Sequence, residues 1–221
     1  MSGATQTRVF LVDDHPLVRE SLASLIDRQP DLHVCGEADS VAAALTAIGP
    51  ARADVAIVDL ALGDRSGLDL IRQLKQESPR LAILALSMHD EELYAERALR
   101  AGAQGYVMKR EATRNVILAI RRVREGRIAV SERVAESLAA KHVGGAPAGA
   151  GSPVARLSDR ELEVFRLAGE GRATRQIAKS LCISSKTVQA YYARIKEKLG
   201  VATANELLRE AICWVEEQRG R

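Results

Sequence analysis

The feature that most constrains the fold is a regular alternation of short apolar runs with helical patterns over the first half of the chain. Strands are predicted at 8–12, 33–38, 55–59, 81–86 and 105–107, and helices at 17–28, 40–48, 67–76, 91–100 and 113–124. The runs at 9–12 and 81–84 are continuously apolar, as in strands that are covered on both faces. The pattern predicts an α/β doubly wound, five-stranded parallel sheet.

The second half of the chain has a different character. After a predicted helix at 131–141, residues 142–153 are rich in Gly, Ala and Pro, which is the composition of a flexible tether. No strand pattern follows, and helices are predicted at 159–169, 174–181, 185–199 and 204–217. We therefore expect a first domain at 1–126, a linker helix and tether at 127–153, and a small all-α domain at 154–221.

Composition excludes several classes of protein. With 47% hydrophobic and 28% charged residues the chain is typical of globular proteins, and its apolar runs fall far short of the roughly 20 residues that span a bilayer. Residues 1–7 do not resemble a signal peptide, so we expect a cytoplasmic protein that does not enter a membrane. Cys35, Cys182 and Cys213 are odd in number and lack CxxC spacing, which predicts buried apolar side chains, not disulfides or zinc ligands.

Charge is distributed unevenly along the chain. Residues 1–120 carry a net charge of −4, whereas residues 171–200 carry a net charge of +6. A local basic excess of this kind predicts a nucleic-acid contact, with an ordinary solvated helix face as the alternative.

Charged and hydroxyl side chains follow four of the predicted strands. Asp13 and Asp14 end the first strand, Asp59 the third and Ser87 the fourth, and Lys109 follows the fifth. Because the carboxyl ends of parallel strands meet at one edge of a sheet, these side chains should converge. Three carboxylates together are best explained by a hard cation such as Mg²⁺, and a lysine and a hydroxyl can pair with phosphoryl oxygens. The constellation suggests phosphoryl transfer to a carboxylate.

Four segments carry a resemblance to the receiver domain of bacterial two-component response regulators. They are VDDHP at 12–16, VDLALGDRSGLDL at 58–70, LALSMHD at 84–90 and AGAQGYVMK at 101–109. The resemblance covers roughly residues 8–125 and implies a flavodoxin-like fold. It implies that Asp59 accepts a phosphoryl group from a sensor histidine kinase or a small donor, and that Asp13, Asp14, Asp59 and the backbone carbonyl of Ala61 hold Mg²⁺.

The same resemblance implies a switch. Lys109 would pair with the aspartyl phosphate, the Ser87 hydroxyl would bond a phosphoryl oxygen, and the Tyr106 ring would follow it. The plainer alternatives are strand-end and sheet packing for Ser87 and Tyr106, and helix capping for Asp13 and Asp14.

Three further positions lie close in sequence to the predicted phosphoryl site. His15 and His89, which lie beside the site in sequence, are expected to be bystanders. Gly63 stands where the family often has proline, which loosens the loop after Asp59 without removing a ligand.

The sequence of the basic segment, residues 171–200, predicts two helices joined by a tight connection. Thr174 and either Ser184 or Ser185 are candidate N-caps. Helical spacing places one set of side chains against the core, namely Val188, Tyr191, Tyr192, Ile195 and Leu199. The opposite, small and basic face could enter the major groove of DNA.

This tail resembles the LuxR-type helix-turn-helix over roughly residues 155–217, through LSDRELEVFRLAGEG at 157–171, TRQIAKSLCIS at 174–184 and KTVQAYYARIKEKLGV at 186–201. A receiver joined to it is the layout of NarL/FixJ-type transcription regulators. The resemblance implies that Gln189, Ala190 and Ala193 face base edges and that Lys186, Thr187 and Arg194 meet phosphates. Tyr191 replaces a frequent histidine of the family, and the two alanines offer few donors, so phosphates and DNA shape should supply much of the affinity. A helical protein-interaction module is the plainer alternative.

The last predicted helix carries an apolar stripe at helical spacing, made of Leu207, Leu208, Ala211, Ile212 and Val215. The stripe could pack within the domain or form a dimer contact. Because one small helical domain binds a single half-site weakly, we expect homodimers on paired half-sites of double-stranded DNA. RNA polymerase is a further candidate partner.

The predicted function is a response regulator in which phosphorylation of Asp59 controls DNA binding and transcription, either by unmasking the DNA-binding helix or by favouring dimers. Two other functions stay open. One is a phosphorylation-independent regulator with a silent receiver. The other is a magnesium-dependent phosphohydrolase, which would need a general acid two residues after the nucleophile, where Ala61 stands.

Overall fold

The structure, a computed structural model, describes residues 6–62, 65–88, 91–143, 153–181 and 183–220. The chain divides into two compact units, an N-terminal unit of residues 1–138 and a C-terminal unit of residues 139–221. Most of the predicted tether, 144–152, lies outside the described residues, as do Gly63, His89 and Cys182. The predicted domain limits at 126 and 153 stay predictions.

The N-terminal unit contains the predicted five-stranded parallel sheet. Its strands are β1 (Thr7–Val12), β2 (Leu32–Ala38), β3 (Val55–Asp59), β4 (Ala82–Ser87) and β5 (Gly105–Met108). Their spatial order is β2-β1-β3-β4-β5, and every pair is parallel. Residues 9–12 of β1 and all of β4 are buried, as expected from the continuously apolar runs at 9–12 and 81–84, and β3 is buried along its whole length as well. The order reverses direction at β1, so β1 and β3 flank the switch point at which α/β proteins bind ligands.

Helices cover both faces of this sheet. They are α1 (Pro16–Asp27), α2 (Val41–Ala47), α3 (Gly67–Glu77), α4 (Glu91–Ala101) and α5 (Ala112–Arg124). A sixth helix, α6 (Glu132–Val143), follows. All begin and end within about two residues of the predicted limits, the ordinary uncertainty of helix ends.

One feature between β3 and α3 was not predicted. Ala61–Leu62 pairs antiparallel with Arg65–Ser66 in a two-residue ladder. The ladder returns the chain so that α3 starts directly against the end of β3. A Cβ added at Gly67 would lie 2.0 Å from the carbonyl oxygen of Asp59, so only glycine fits this position. Gly67 thereby fixes the distance between α3 and the strand that ends in Asp59.

The C-terminal unit is entirely helical in its described part. It contains α7 (Asp159–Gly169), α8 (Thr174–Ser180), α9 (Ser185–Leu199) and α10 (Ala204–Gly220). The Phe165 and Trp214 rings pack with centroids 5.8 Å apart, and a Cβ added at Gly169 would lie 2.3 Å from the carbonyl oxygen of Ala211. α7 and α10 therefore approach each other closely and form the centre of this unit.

Two expectations about individual residues are wrong. Thr174 does not cap α8: Ala173 occupies the N-cap position, and its N–H donates to Oε1 of Gln176 at 2.8 Å. Cys213 is exposed on α10 and Cys35 is only half-buried, so neither is a fully buried core side chain. No helix among the described residues is long and apolar enough to cross a membrane.

Candidate phosphoryl site and candidate DNA interface

Three charged side chains meet at the carboxyl edge of the sheet. Asp59 ends β3, Asp13 follows β1 and Lys109 follows β5, and less than a tenth of each side chain is exposed. The Lys109 Nζ lies 2.6 Å from Oδ2 of Asp13 and 2.7 Å from Oδ2 of Asp59. The backbone N–H of Ala61 donates to Oδ1 of Asp59 at 3.1 Å. Both oxygens of Asp59 therefore have a donor, which fixes the plane of its carboxylate.

The electrostatics of this cluster are unbalanced. Burial raises the pKa of Asp59 to about 6, against the attraction of Lys109 and with the repulsion of Asp13. Burial alone would lower the pKa of Lys109, but the charges of Asp59 and Asp13 outweigh it and raise that pKa above its ordinary value. One lysine thus serves two buried carboxylates, and the site favours further positive charge.

The described side chains also contain a group that could hold a metal ion. Carboxylate oxygens of Asp13, Asp14 and Asp59 and a ring nitrogen of His15 all lie within 4.8 Å of one another. His15 Nδ1 lies 2.6 Å from Oδ1 of Asp14 and 3.2 Å from Oδ1 of Asp13. The structure therefore brings the three predicted carboxylate ligands together and places His15, expected to be a bystander, in contact with two of them.

Arg19 is a site residue that the sequence analysis missed. Its Nη1 donates to the carbonyl oxygen of Asp13 at 2.6 Å, and its Nε lies 3.2 Å from Oε2 of Glu37. The contact orients the backbone that presents Asp13. The available signal was the position of Arg19 in the first turn of α1, the helix that follows the acidic pair.

The two predicted switch residues lie on adjacent strands. Ser87 ends β4 with no exposed surface, and Tyr106 on β5 is 2% exposed. In the β4–β5 register Ala85 lies opposite Tyr106, and Ser87 lies opposite Met108. Because Met108 directly precedes Lys109, Ser87 lies next to the start of the Lys109 segment across the sheet, and Tyr106 lies three residues before Lys109 in the chain. The Ala61 backbone lies at the same edge, in the short ladder after β3.

In the C-terminal unit, α8 and α9 form the helix-turn-helix. Ser184, one of the two predicted candidates, caps α9 by accepting a hydrogen bond from the N–H of Thr187 at 3.0 Å, and its Oγ lies 2.8 Å from Oγ1 of Thr187. Gly200 ends the helix in the left-handed conformation, with φ of 72°. Val188 and Ile195 of the predicted inner face are fully buried, and Tyr191, Tyr192 and Leu199 are half-buried.

The outer face of α9 carries the residues predicted to contact DNA. Five of the six are exposed, namely Lys186, Gln189, Ala190, Ala193 and Arg194, and Thr187 is half-buried. The Arg194 guanidinium carbon lies 5.8 Å from the centre of the Tyr191 ring, within the range of a cation–π contact. Tyr191 therefore supports an arginine on the exposed face in addition to its half-buried packing.

Comparison with known proteins agrees with both units. The family described as "Response regulator receiver domain" matches residues 9–121, and "Bacterial regulatory proteins, luxR family" matches residues 155–211. The chain belongs to the LuxR-type response regulators. Its family is one of transcription regulators, not conventional enzymes, and it combines a receiver domain with a LuxR-type DNA-binding domain.

Individual relatives cover nearly the whole chain. The "DNA-binding transcriptional activator DevR/DosR" of Mycobacterium tuberculosis is 38% identical over 194 residues, 88% of each protein. The structure of RcsB from Salmonella enterica serovar Typhimurium bound to the promoter rprA in the presence of phosphomimetic BeF3⁻ matches with a TM-score of 0.68 at 28% identity, covering 93% of this chain and 98% of RcsB. A structure of two RcsB dimers bound to two parallel DNAs matches with a TM-score of 0.57 at 27% identity, covering 93% and 97%.

The apolar stripe of α10 in this response regulator divides into two sets. Leu207, Ala211 and Val215 are buried within the C-terminal unit, whereas Leu208 is 40% and Ile212 is 38% exposed. The first set packs within the domain, which was one of the two predicted roles. The second set leaves two aliphatic side chains at the surface of the unit.

Proposed function

We propose that Asp59 is the phospho-acceptor of this response regulator and that its phosphorylation controls DNA binding by α9. The observation that carries the proposal is the convergence of Asp59, Asp13 and Lys109 at the carboxyl edge of β1, β3 and β5. A structural ion pair needs one partner for each charge, whereas here two buried carboxylates share one lysine. An excess of acceptors at a ligand-binding edge is what a site for a cation and a phosphoryl group requires.

The donor set fits Mg²⁺. Asp13, Asp14 and Asp59 offer carboxylate oxygens within reach of one ion, and the backbone carbonyl of Ala61 is proposed as a further ligand. Bound Mg²⁺ would neutralise carboxylate charge and bring phosphoryl oxygens close to Asp59.

The residues of the chain would perform the transfer. An oxygen of Asp59, oriented by the Ala61 N–H and by Lys109, forms a bond to phosphorus while the bond from phosphorus to the leaving group of the donor breaks. The donor is a phosphohistidine of a sensor histidine kinase or a small acyl phosphate. Lys109 remains beside Asp59 and holds a phosphoryl oxygen, and attack by water later returns the free carboxylate.

We propose that Ser87 and Tyr106 change position in response to the negative charge that phosphorylation adds to Asp59. Ser87 lies at the end of the strand next to β3, so its hydroxyl is placed to bond a phosphoryl oxygen on Asp59. Tyr106 lies on the far side of β4 from Asp59 and is buried in the present state. A shift of Ser87 toward the phosphoryl group would change the space available to Tyr106.

On the DNA side, we propose that Gln189, Ala190 and Ala193 contact base edges and that Lys186, Thr187 and Arg194 contact phosphates. The support is that the exposed side of α9 carries small side chains between basic ones. Homodimers on paired half-sites, through Leu208 and Ile212 or another surface, would provide the affinity that one domain lacks. RNA polymerase as a further partner and a cytoplasmic location stay predictions.

The test measures DNA affinity at two salt concentrations for the wild type and for Asp59→Asn, with and without Mg²⁺ and a small phosphodonor. The wild type should gain the mass of one phosphoryl group and bind DNA more tightly with both reagents present, whereas Asp59→Asn should do neither. Asp39→Asn, a change at an exposed aspartate before α2, is the matched control and should behave as the wild type.

Other outcomes select the alternatives. An equal response of Asp59→Asn and the wild type would mean that the receiver is silent and that the chain regulates without phosphorylation. Steady turnover of a phosphoester would indicate a phosphohydrolase. If a fragment of residues 150–221 binds DNA no better than the unphosphorylated full chain, phosphorylation acts by dimerisation and not by unmasking α9.

A further inference from the structure

We propose that residues 127–131, here called the strap, couple the strand that carries Tyr106 to the start of α6. The inference rests on the proposed function, since it concerns how the phosphorylated receiver passes its change to the rest of the chain. It assigns positioning roles to Ser131 and Glu91, which lie outside both predicted sites.

The strap extends the sheet beyond β5. α5 ends with Gly126 in the left-handed conformation, with φ of 76°, and the chain turns back toward the sheet. The N–H of Tyr106 donates to the carbonyl oxygen of Ala129 at 2.8 Å, and the N–H of Ala129 donates to the carbonyl oxygen of Gln104 at 2.9 Å. The strap is thus hydrogen-bonded directly to the backbone of the proposed switch residue.

The contact between strap and strand is close. Ala129 is 4% exposed and pairs in parallel with Gly105. A Cβ added at Gly105 would lie 2.8 Å from the carbonyl oxygen of Ala129 and 2.7 Å from Cδ1 of Leu84. Because no side chain fits between them, a displacement of β5 at this point cannot be absorbed by rotation of a side chain and must move the strap.

Ser131 joins the strap to two helices. Its hydroxyl donates to Oε1 of Glu91, the first residue of α4, at 2.5 Å. The same Oγ accepts from the N–H of Val134 at 3.2 Å, and the carbonyl oxygen of Ser131 accepts from the N–H of Ala135 at 3.0 Å. One side chain therefore caps α6 and ties it to α4. Val134, in the first turn of α6, is 3% exposed, so this turn is anchored by burial as well.

The strap also borders the space around Tyr106. A cavity of about 210 Å³ is lined by Tyr106, Glu91 and Leu118 and by Ala129, Val130 and Ser131 of the strap. A change in the position of the Tyr106 ring alters this cavity, and a change in the position of the start of α4 alters the Glu91–Ser131 hydrogen bond. The start of α6 can therefore respond to the receiver through two connections, one by backbone and one by side chain.

Protection of the sheet edge is the other role that the strap can serve, since β5 would otherwise present unpaired backbone groups. Edge protection needs only the backbone contacts of Ala129. It makes no use of the Ser131 hydroxyl or of Glu91, so changes at these two side chains distinguish coupling from protection.

The experiment uses the full chain with Mg²⁺ and a small phosphodonor, and it compares the wild type with Ser131→Ala, Ser131→Thr and Glu91→Ala. Ser131→Ala removes both the bond to Glu91 and the α6 cap, Glu91→Ala removes only the first, and Ser131→Thr keeps the hydroxyl. Ser21→Ala and Glu20→Ala, at exposed positions on α1, are the matched controls. Phosphoryl incorporation, basal DNA affinity and the gain in affinity on phosphorylation are measured for each.

Phosphoryl incorporation and basal DNA affinity should stay at wild-type levels in every variant. The gain in DNA affinity on phosphorylation should fall about three- to tenfold in Ser131→Ala and Glu91→Ala. It should be retained in Ser131→Thr and in the controls. A wild-type gain in both alanine variants would overturn the coupling role while leaving the proposed function intact. A wild type that is phosphorylated without any gain would remove both proposals.

Discussion

Two buried carboxylates, Asp59 in the N-terminal unit and Glu161 in the C-terminal unit, have similar immediate surroundings but pKa values that shift in opposite directions. Each is at most 3% exposed and lies within 2.7 Å of a lysine Nζ. Burial raises the pKa of Asp59 to about 6. Burial would also raise the pKa of Glu161, but hydrogen bonds from Lys198 and Ser158 outweigh it and lower that pKa below its ordinary value.

The two sites differ in the number of carboxylates that share each lysine. Lys198 has Glu161 as its partner, and Glu161 also accepts from the N–H of Ser158 at 2.7 Å in a capping box at the start of α7. Lys109 is divided between Asp59 and Asp13. The fold therefore neutralises Glu161 with its own groups and leaves Asp59, the proposed phospho-acceptor, short of positive charge.

The largest expected effect comes from removing the shared lysine. Lys109→Ala should lower the free energy of unfolding of the N-terminal unit by about 3 kcal/mol, since two buried carboxylates lose their cation. Saturating Mg²⁺ should restore part of the loss, because a bound cation supplies the missing charge. Hydrogen exchange of the slowest β3 amides measures both the loss of unfolding free energy and its recovery in Mg²⁺.

Lys198→Ala is the control for that change. The Lys198 side chain is 38% exposed, so its loss should cost the C-terminal unit only about 1 kcal/mol, with no recovery in Mg²⁺. Equal losses, both indifferent to Mg²⁺, would mean that the two carboxylates do not differ as described.

Neutral isosteres should change stability in opposite directions. Glu161→Gln should destabilise the C-terminal unit by about 1 to 2 kcal/mol, because it leaves Lys198 without its carboxylate. Asp59→Asn should stabilise the N-terminal unit by about 1 kcal/mol at pH 7 in chelator, because the folded state no longer holds two buried like charges together. Hydrogen exchange in α7 and β3 measures both, and a loss of stability in Asp59→Asn would contradict the charge imbalance.

The pH dependence of the C-terminal unit follows from the lowered pKa of Glu161. A carboxylate whose pKa is lower in the folded state stabilises above its unfolded value, 4.5, and that contribution is lost as the pH falls through the folded value. As the pH falls below about 4.5, the wild-type unit should lose more stability than Glu161→Gln. Parallel profiles of the two proteins, followed by Trp214 fluorescence, would refute a stabilising role for ionised Glu161.

The smallest effect on stability is expected at Asp14. Its side chain is 31% exposed, so Asp14→Asn should change the free energy of unfolding by less than about 0.5 kcal/mol. Loss of a proposed ligand should nevertheless weaken Mg²⁺ binding about tenfold or more, as measured by titration calorimetry. Unchanged Mg²⁺ affinity would remove Asp14 from the proposed ligand set.

The sequence predicted the sheet, its helices and the convergence of Asp13, Asp59 and Lys109, because strand periodicity and the common edge of parallel strands are local and topological rules. It did not predict contacts that depend on side-chain geometry across the fold. Hydroxyls favour the cap position, which predicts Thr174 there, yet Ala173 occupies it and its N–H donates to Gln176. Cys213 was expected to be buried because the residue type usually is, but α10 turns it outward.

The strap was missed for a related reason. Its pairing with β5 involves one bridged residue, too short to produce a period-two pattern. Gly126, after the last basic turn of α5, was the available signal that the chain reverses there. The roles of the site residues stay predictions until they are tested as described.

The proposed acceptor site is assembled from strands that are far apart in the chain, with Asp13 after the first strand and Lys109 after the last. During synthesis, a ribosome-bound chain that lacks β5 presents Asp59 without its lysine and without a closed sheet edge. Phosphoryl transfer to Asp59 would then be confined to receivers that have finished folding.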